Sequence, residues 1–486
     1  MPASSFHLHC LAGKSPTSNL NFPTLFELPT VPSSMDGNGK KQCEVKKKKR
    51  MREAAKMVCK SSADIEDFAP EEVAKIRDSL LCWYYENQRI LPWRINHDEE
   101  KVGGAEEREA RAYAVWVSEV MLQQTRVPTV INYYNRWMEK WPTVSDLAKA
   151  SQEEVNEMWA GLGYYRRARF LLEGAKSIVG GEFPTTVSAL RKVRGVGDYT
   201  AGAIASIAFK EAVPVVDGNV IRVIARLKAI SSNPKESETI KSFWKLAGQL
   251  VDPSRPGDFN QALMELGSTI CTPTSPGCSR CPISDQCHAV SVSRNCESIR
   301  VTDYPFKVAK AKQRKDFAAV CVVQITTDQD PKLYKKTNKS DVFLLVKRPD
   351  EGLLAGLWEF PSVLLDGEEV DVSARRQAMD QYLKKSFKLD IEDNSSVILR
   401  EDVGEYVHVF SHIRLQMYVE LLVLCLKGGV SVLNCEEDQN SAAWKCVDGE
   451  SIEAMGLTSG VRKVYNMIKD FKKDKQPLNL KRARRK

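Results

Sequence analysis

The sequence predicts a multi-domain protein: an all-α domain, a connector, and a smaller C-terminal α/β (α+β) domain. Three observations lead there. From about Asp64 to Val290, apolar residues recur every three or four positions in segments separated by turn signals such as WPTV, GLGYY, GEFPTT and RGVGD. After a Lys-rich connector, FAAVCVVQI, DVFLLVKRP and LQMYVELLVLCL read as strands, with one helix over Val372–Phe387. The chain's 486 residues are also enough for two or three domains with sizeable cores.

In chain order, residues 1–63 read as a disordered, basic tail. Its first 35 residues are rich in Ser, Thr and Pro, with Glu27 as their single acid and no arginine. No signal-peptide core is present, which argues against secretion, whereas an organelle-targeting segment fits this composition. KKKKRMR from Lys46 and KRARRK near the C-terminus fit a nuclear address or nonspecific DNA-binding arms, and equally plain solvated tails. The formal charge of +8 sits in such runs: residues 40–60 carry +8 and residues 469–486 carry +7, which with −1 on residues 1–39 leaves −6 on residues 61–468. Any nucleic-acid surface on the body is therefore a local patch. No apolar run has bilayer-spanning length, so the chain reads as soluble, with no membrane partner and as a monomer.

Residues 64–290 form the helical domain. Within it, SALRKVRGVGDYTAGAIASIAF reads as helix, Gly-x-Gly turn, helix. Gly195 and Gly197 permit a sharp turn and close approach of a ligand to the free N–H groups of the second helix, as a phosphate would require. A helical hairpin turning on glycine for packing alone gives the same pattern. Asp217, after the apolar run VPVV and before Gly218 and Asn219, has the position of an N-cap. Glu119 lies among Val117, Val120 and Met121, where burial would raise its pKa and suit it to general-acid work; a polar face on a buried helix is the plainer alternative. Thirteen cysteines run from Cys10 to Cys446, and four crowd together as C-x6-C-x2-C-x5-C: Cys271, Cys278, Cys281 and Cys287. Four thiolates in a Pro/Gly loop indicate a metal, either zinc or a [4Fe–4S] cluster. A single C-x2-C pair, where zinc modules usually present two, favours iron–sulfur.

Residues 291–315 form the connector, 316–470 the second domain, and 471–486 a basic tail. The connector has only Cys296, which gives no basis for a second metal site.

Taken as an ordered set, several motifs resemble the helix-hairpin-helix DNA glycosylases, specifically the MutY-type adenine glycosylase family. They are LPWR (Leu91–Arg94), SEVMLQQT (Ser118–Thr125), GLGYYRRAR (Gly161–Arg169), GVGDYTAGA (Gly195–Ala203), VDGNV (Val216–Val220), the four-cysteine loop, and FSH (Phe410–His412). The resemblance covers roughly residues 75–470. It implies a [4Fe–4S] cluster on the four cysteines and a glycine hairpin that grips backbone phosphates. It also implies double-stranded DNA with adenine opposite 8-oxoguanine or guanine as substrate, the adenine being flipped out of the stack. Glu119 matches the acid that protonates the base. Asp217 matches the carboxylate facing the developing oxocarbenium ion, with Asn219 and Arg222 orienting it and Tyr199 supporting both acids. Gln124 and Tyr164 match residues that wedge into the duplex; Gly195, Gly197 and Arg222 join them as expected DNA contacts.

In related bifunctional enzymes a lysine stands at the position of Tyr199 and forms a Schiff base; a phenol cannot, so the resemblance implies a monofunctional glycosylase. The C-terminal domain resembles a Nudix-type (MutT-like) domain whose SARRQAMDQYLKKS lacks the glutamate-rich metal box. This implies lost nucleotide hydrolysis and a role in sensing 8-oxoguanine through Phe410, Ser411 and His412. Read alone, VFSHIRL is a plain strand segment. Repair or replication proteins are expected to bind the connector or tails. Two departures stand out: RGVG replaces the commoner PGVG, and INHDEEKVGGAEEREARAY (residues 95–113) looks like an insertion. Competing readings are an endonuclease III-type glycosylase-lyase, a noncatalytic damage-binding protein with structural zinc, and an active Nudix hydrolase fused to a helical module.

Overall fold

The computed structural model describes residues 65–94, 104–308, 312–326, 341–368, 370–391, 395–426 and 443–474. The N-terminal tail, most of the C-terminal tail and residues 95–103 lie outside this set, as do the sequence expectations attached to them. No helix of the described residues is long and apolar enough to cross a membrane.

Helices fill the chain from Pro70 to Asn295. The Asp198–Phe209 helix is buried from Thr200 to Ala208, as its run of Ala and Ile requires. It packs against the Ala105–Leu122 helix, whose Val115–Met121 stretch is buried throughout. A second centre of the core is aromatic: Trp116, Trp137 and Trp159 are fully enclosed, with Trp137 and Trp159 meeting edge to face at 5.6 Å. Of the insertion-like stretch at 95–113, residues 95–103 lie outside the described residues. Residues 105–113 are the opening turns of the helix that carries Glu119, with Ala112 and Tyr113 buried. The five charged residues among Glu106–Arg111 are exposed or half-exposed.

The connector is less featureless than its sequence suggests. His288–Asn295 is a helix and Val301–Asp303 a short 3-10 turn.

Among the described residues, the second domain holds a mixed seven-stranded sheet: β1 (Arg314–Thr326), β2 (Val342–Lys347), β3 (Trp358–Glu359), β4 (Ser362–Leu365), β5 (Ser395–Val409), β6 (Ile413–Leu426) and β7 (Trp444–Asp448). The main order is β3-β2-β1-β6-β5, with β4 beside β1 and β7 beside β2. β1 and β6 run parallel from Arg314/Ile413 to Thr326/Cys425. Both are apolar on both faces because helices cover both. The Val372–Phe387 helix, at the predicted position, buries Met379, Leu383 and Phe387 against one face. The Ser459–Asp474 helix, not read from the sequence, buries Val464, Tyr465 and Ile468 against the other. β5 also escaped the sequence reading, because its residues alternate between half-buried and exposed with bulges at Val397/Leu399 and Asp402/Gly404. β5 and β6 form a hairpin whose tip is Phe410–His412, closed by Phe410 N–H donating to the Ile413 carbonyl at 2.8 Å. VFSHIRL is therefore strand, turn, strand.

Candidate active site

The Gly195 turn sets the site's geometry. Gly195 has φ of +83°, and a Cβ there would lie 2.5 Å from Cβ of Phe170, so only glycine fits without strain. Gly197 caps the Asp198–Phe209 helix with φ of −94°, no side-chain cap, and open space before it. The helix N-terminus thus presents backbone N–H groups outward, as an anion requires. Arg194 lies over the Phe170 ring at 4.9 Å and pairs with Glu173 at 3.3 Å, beside Arg166, also 4.9 Å from that ring. The arginine in RGVG therefore stays largely exposed while resting on the Phe170 ring.

One step into this helix, Tyr199 points into a cavity of about 670 Å³ that also holds Glu119, Asp217 and Asn219. Tyr199 Oη donates to Glu119 Oε2 at 2.5 Å. Glu119 is 7% exposed. Burial drives its pKa up to about 7, with Asp217 pushing the same way and the Tyr199 bond and Arg94 opposing. Burial also lifts Tyr199 well above the usual phenol range, so the hydroxyl keeps its hydrogen.

Asp217 is both the N-cap and a cavity residue. Oδ1 accepts from Val220 N–H at 2.7 Å and Oδ2 from the Asn219 amide at 2.8 Å. Burial raises its pKa while those bonds counter it. Asn219 is held in turn by Arg222, whose guanidinium donates to Asn219 Oδ1 (2.7 Å) and to the carbonyls of Gly218 (3.2 Å), Gly267 (2.6 Å) and Cys271 (2.7 Å). Four of its five N–H donors are thus committed to the protein. These bonds fit the expected role of Arg222 in orienting Asp217 through Asn219. Gly267 permits this closeness: a Cβ there would fall 2.6 Å from Cβ of Asn219.

Cys271, Cys278, Cys281 and Cys287 line one small cavity with Arg226. Among the described residues, no group of three or more His, Cys, Asp or Glu is placed to hold a metal ion. Burial pushes the thiols of Cys281 to about 12 and Cys287 to about 11, so a bound cation is what would keep them ionised. Arg226, 1% exposed, donates to Cys271 Sγ at 3.1 Å, a charge suited to an anionic sulfur site.

A larger cleft of about 980 Å³ joins the two domains, with Gln124, Tyr164 and Gly195 on one side and Phe410, Ser411 and His412 on the other. Gln123 and Gln124 line both this cleft and the acid-bearing cavity, so the two are neighbours. Gln124 (φ +59°) and Tyr164 (φ +50°) both occupy the left-handed region, and Tyr164 is 50% exposed. At the hairpin tip, Ser411 Oγ and His412 Nδ1 lie 3.1 Å apart, and the Phe410 ring meets His408 at 4.4 Å. On the Val372–Phe387 helix, where a Nudix hydrolase would carry acids, Arg376 pairs with Glu420 at 3.4 Å and Arg375 with Asp402 at 3.3 Å.

The sequence reading missed three site residues. Arg167, buried, donates to the carbonyls of Val120 (2.8 Å), Met121 (3.0 Å) and Gln123 (2.6 Å) and of Leu162 (3.4 Å) and Gly163 (3.0 Å), tying the Gln124 loop to the Tyr164 loop. Glu265, 1% exposed, lines the cavity and binds Arg89 at 2.6 Å and Arg94 at 2.8 Å. Met264 touches Tyr199. Only Arg94 and Arg167 carried any signal, as members of quoted motifs.

Residues 117–249 match the model of the HhH-GPD superfamily base excision DNA repair protein, and residues 336–467 that of the NUDIX domain. The chain is 56% identical over 425 residues to an adenine DNA glycosylase of Arabidopsis thaliana, an alignment covering 82% of this chain and 65% of that protein. The chain therefore spans just under two thirds of that relative. It is 39% identical over 483 residues to an adenine DNA glycosylase of Mus musculus, covering 91% of this chain and 85% of that one. A solved thermostable thymine-DNA glycosylase aligns with 46% of the chain and 98% of its own length at 26% identity and a TM-score of 0.40.

Proposed function

The chain belongs to the adenine DNA glycosylase family, and from that premise we propose that it hydrolyses the N-glycosidic bond of adenine mispaired with 8-oxoguanine or guanine, initiating base excision repair without cutting the strand. One observation carries the reading. Two carboxyl groups of different character share one cavity: Glu119 held near a pKa of about 7 by burial, and Asp217 fixed by two hydrogen bonds.

Glu119, in its acid form, supplies a proton to a ring nitrogen of the flipped base. The C1′–N9 bond then breaks, with its electron pair leaving on the base. Asp217 faces the positive charge that develops on the sugar, and Asn219, locked by Arg222, keeps that carboxylate aimed. Water adds to C1′ and loses a proton. Tyr199 orients Glu119 and offers no amine, so no Schiff base forms. Arg94 and Glu265, paired at 2.8 Å, line the cavity that receives the base.

The outward N–H groups at Gly197 and the Arg166–Arg194 patch receive backbone phosphates. Gln124 and Tyr164 enter the duplex. Phe410, Ser411 and His412 read the 8-oxoguanine, and the arginines on the Val372–Phe387 helix fit a Nudix-like domain that no longer hydrolyses nucleotides. Cys271, Cys278, Cys281 and Cys287 hold a [4Fe–4S] cluster, which when bound keeps their loop in shape. The nucleus is the site of action, with additional organelle targeting through the N-terminus, and repair or replication proteins engage the connector or tails.

Asp217→Asn tests the reading. It should abolish base release while leaving mismatched-duplex binding largely intact; equal loss of binding would remove Asp217 from the chemistry.

A further inference from the structure

The Tyr199 hydroxyl has two partners: Oε2 of Glu119 at 2.5 Å and Sδ of Met264 at 3.2 Å. Met264 stands on the Pro256–Thr269 helix and lines the same cavity as both acids. A thioether only accepts, and weakly, whereas a hydroxyl donates one hydrogen and also accepts. These rules fix the pattern when Glu119 is ionised and when it is protonated on the oxygen that faces Tyr199. Ionised, Glu119 offers acceptors alone, so the Tyr199 hydrogen points at it. Protonated on Oε2, Glu119 donates to Tyr199 Oη, and the tyrosine hydrogen needs a second acceptor. Met264 Sδ is within reach of it.

We propose that Met264 is a positioning residue for base release: it accepts the Tyr199 hydrogen when Glu119 is protonated, and so lets Glu119 hold its proton within the pocket until the base arrives. The inference rests on the glycosylase reading, with Glu119 as the acid. The other groups that bear on Glu119 are Asp217, at the start of the Gly218–Leu227 helix, and Arg94, tied with Arg89 to Glu265. Asp217 favours the protonated form and Arg94 the ionised one. Met264 adds to the first side by hydrogen bonding, with no charge of its own.

The experiment is a pH–rate profile of adenine release under single-turnover conditions with wild type, Met264→Leu and Met264→Gln. Leucine keeps the volume and removes the acceptor. Losing a weak hydrogen bond that favours the acid form should move the alkaline limb down by about half a pH unit, making release about threefold slower above the limb. Glutamine restores an acceptor at similar reach and should bring the limb back. In a Tyr199→Phe background, Met264→Leu should cause no further movement. A fall in folded protein lowers the amplitude and leaves the limb in place, so misfolding does not imitate the effect. An unmoved limb in Met264→Leu, or an undiminished shift in the Tyr199→Phe background, overturns the role of Met264 alone. Absence of any alkaline limb in wild type overturns Glu119 as the acid and the inference with it.

Discussion

Replacing Arg167 tests whether the two duplex-entering loops act as one unit. Its guanidinium is buried, and burial depresses its pKa to about 10. Three of its acceptors are carbonyls of Val120, Met121 and Gln123, at the end of the Glu119 helix, where no further helical N–H is available. Two more, from Leu162 and Gly163, belong to the Tyr164 loop. Charge-assisted hydrogen bonds contribute about 1.5–3 kcal/mol each, and water entering the space left by alanine recovers part of that, so Arg167→Ala should destabilise the fold by about 3–4 kcal/mol. Arg167→Lys keeps the charge, loses the planar fork, and should cost about 2 kcal/mol. Urea denaturation measures the stability. A 2-aminopurine at the position of the target adenine, whose emission rises on unstacking, reports base extrusion. Both variants should bind duplex through the Gly197 turn yet show a weakened extrusion signal, because Gln124 and Tyr164 no longer hold their left-handed geometry. A loss of less than about 1 kcal/mol in Arg167→Ala, or normal extrusion in a clearly destabilised variant, would refute the reasoning.

Three further outcomes follow from the site. Adenine release should fall about tenfold per pH unit above about 7, as Glu119 loses its proton; a flat profile through that range contradicts the acid role. Because the folded state then holds a proton that the unfolded chain releases from about 4.5 upward, stability should decline as pH rises from 4.5 to about 7, to an extent that Glu119→Gln removes. Gly195→Ala should destabilise the protein, since it combines φ of +83° with the Phe170 contact, whereas Gly197→Ala should leave thermal stability unchanged and weaken DNA binding by crowding the open turn; equal melting losses for the two would contradict the division of roles. Asn219→Ala should slow base release about 10–100-fold with little change in duplex affinity, as Asp217 keeps its bond to Val220 but loses the one to Asn219. Equal losses of rate and affinity would place Asn219 in binding instead.

The helical domain was legible because its amphipathic spacing and turn residues are local properties. So was the four-cysteine loop, whose spacing alone brings the thiols together. Glu119 and Asp217 could each be singled out by a local oddity, a carboxyl in an apolar run and an acid before a Gly-Asn turn. Their meeting in one cavity depends on helices far apart in the chain, and only the ordered motifs pointed to it. Arg167 was illegible because RRAR offers three arginines with identical chemistry, and tertiary packing decides which is buried. The carbonyls of Gly218, Gly267 and Cys271 that hold Arg222 are likewise invisible in sequence. β5 and the Ser459–Asp474 helix were missed because one is half exposed and bulged and the other is dense in lysine.

The most direct measurement uses a labelled duplex with one adenine opposite 8-oxoguanine, incubated with purified protein and divided before the gel. One half is heated in alkali, which breaks the strand at an abasic site, and the other is kept neutral. Strand scission only after alkali is the predicted result, because Glu119 and Asp217 release the base and Tyr199 has no amine with which to cut. Scission in the neutral half would show that another residue supplies an amine. No scission in either half, from folded protein that binds the duplex, would contradict the glycosylase account.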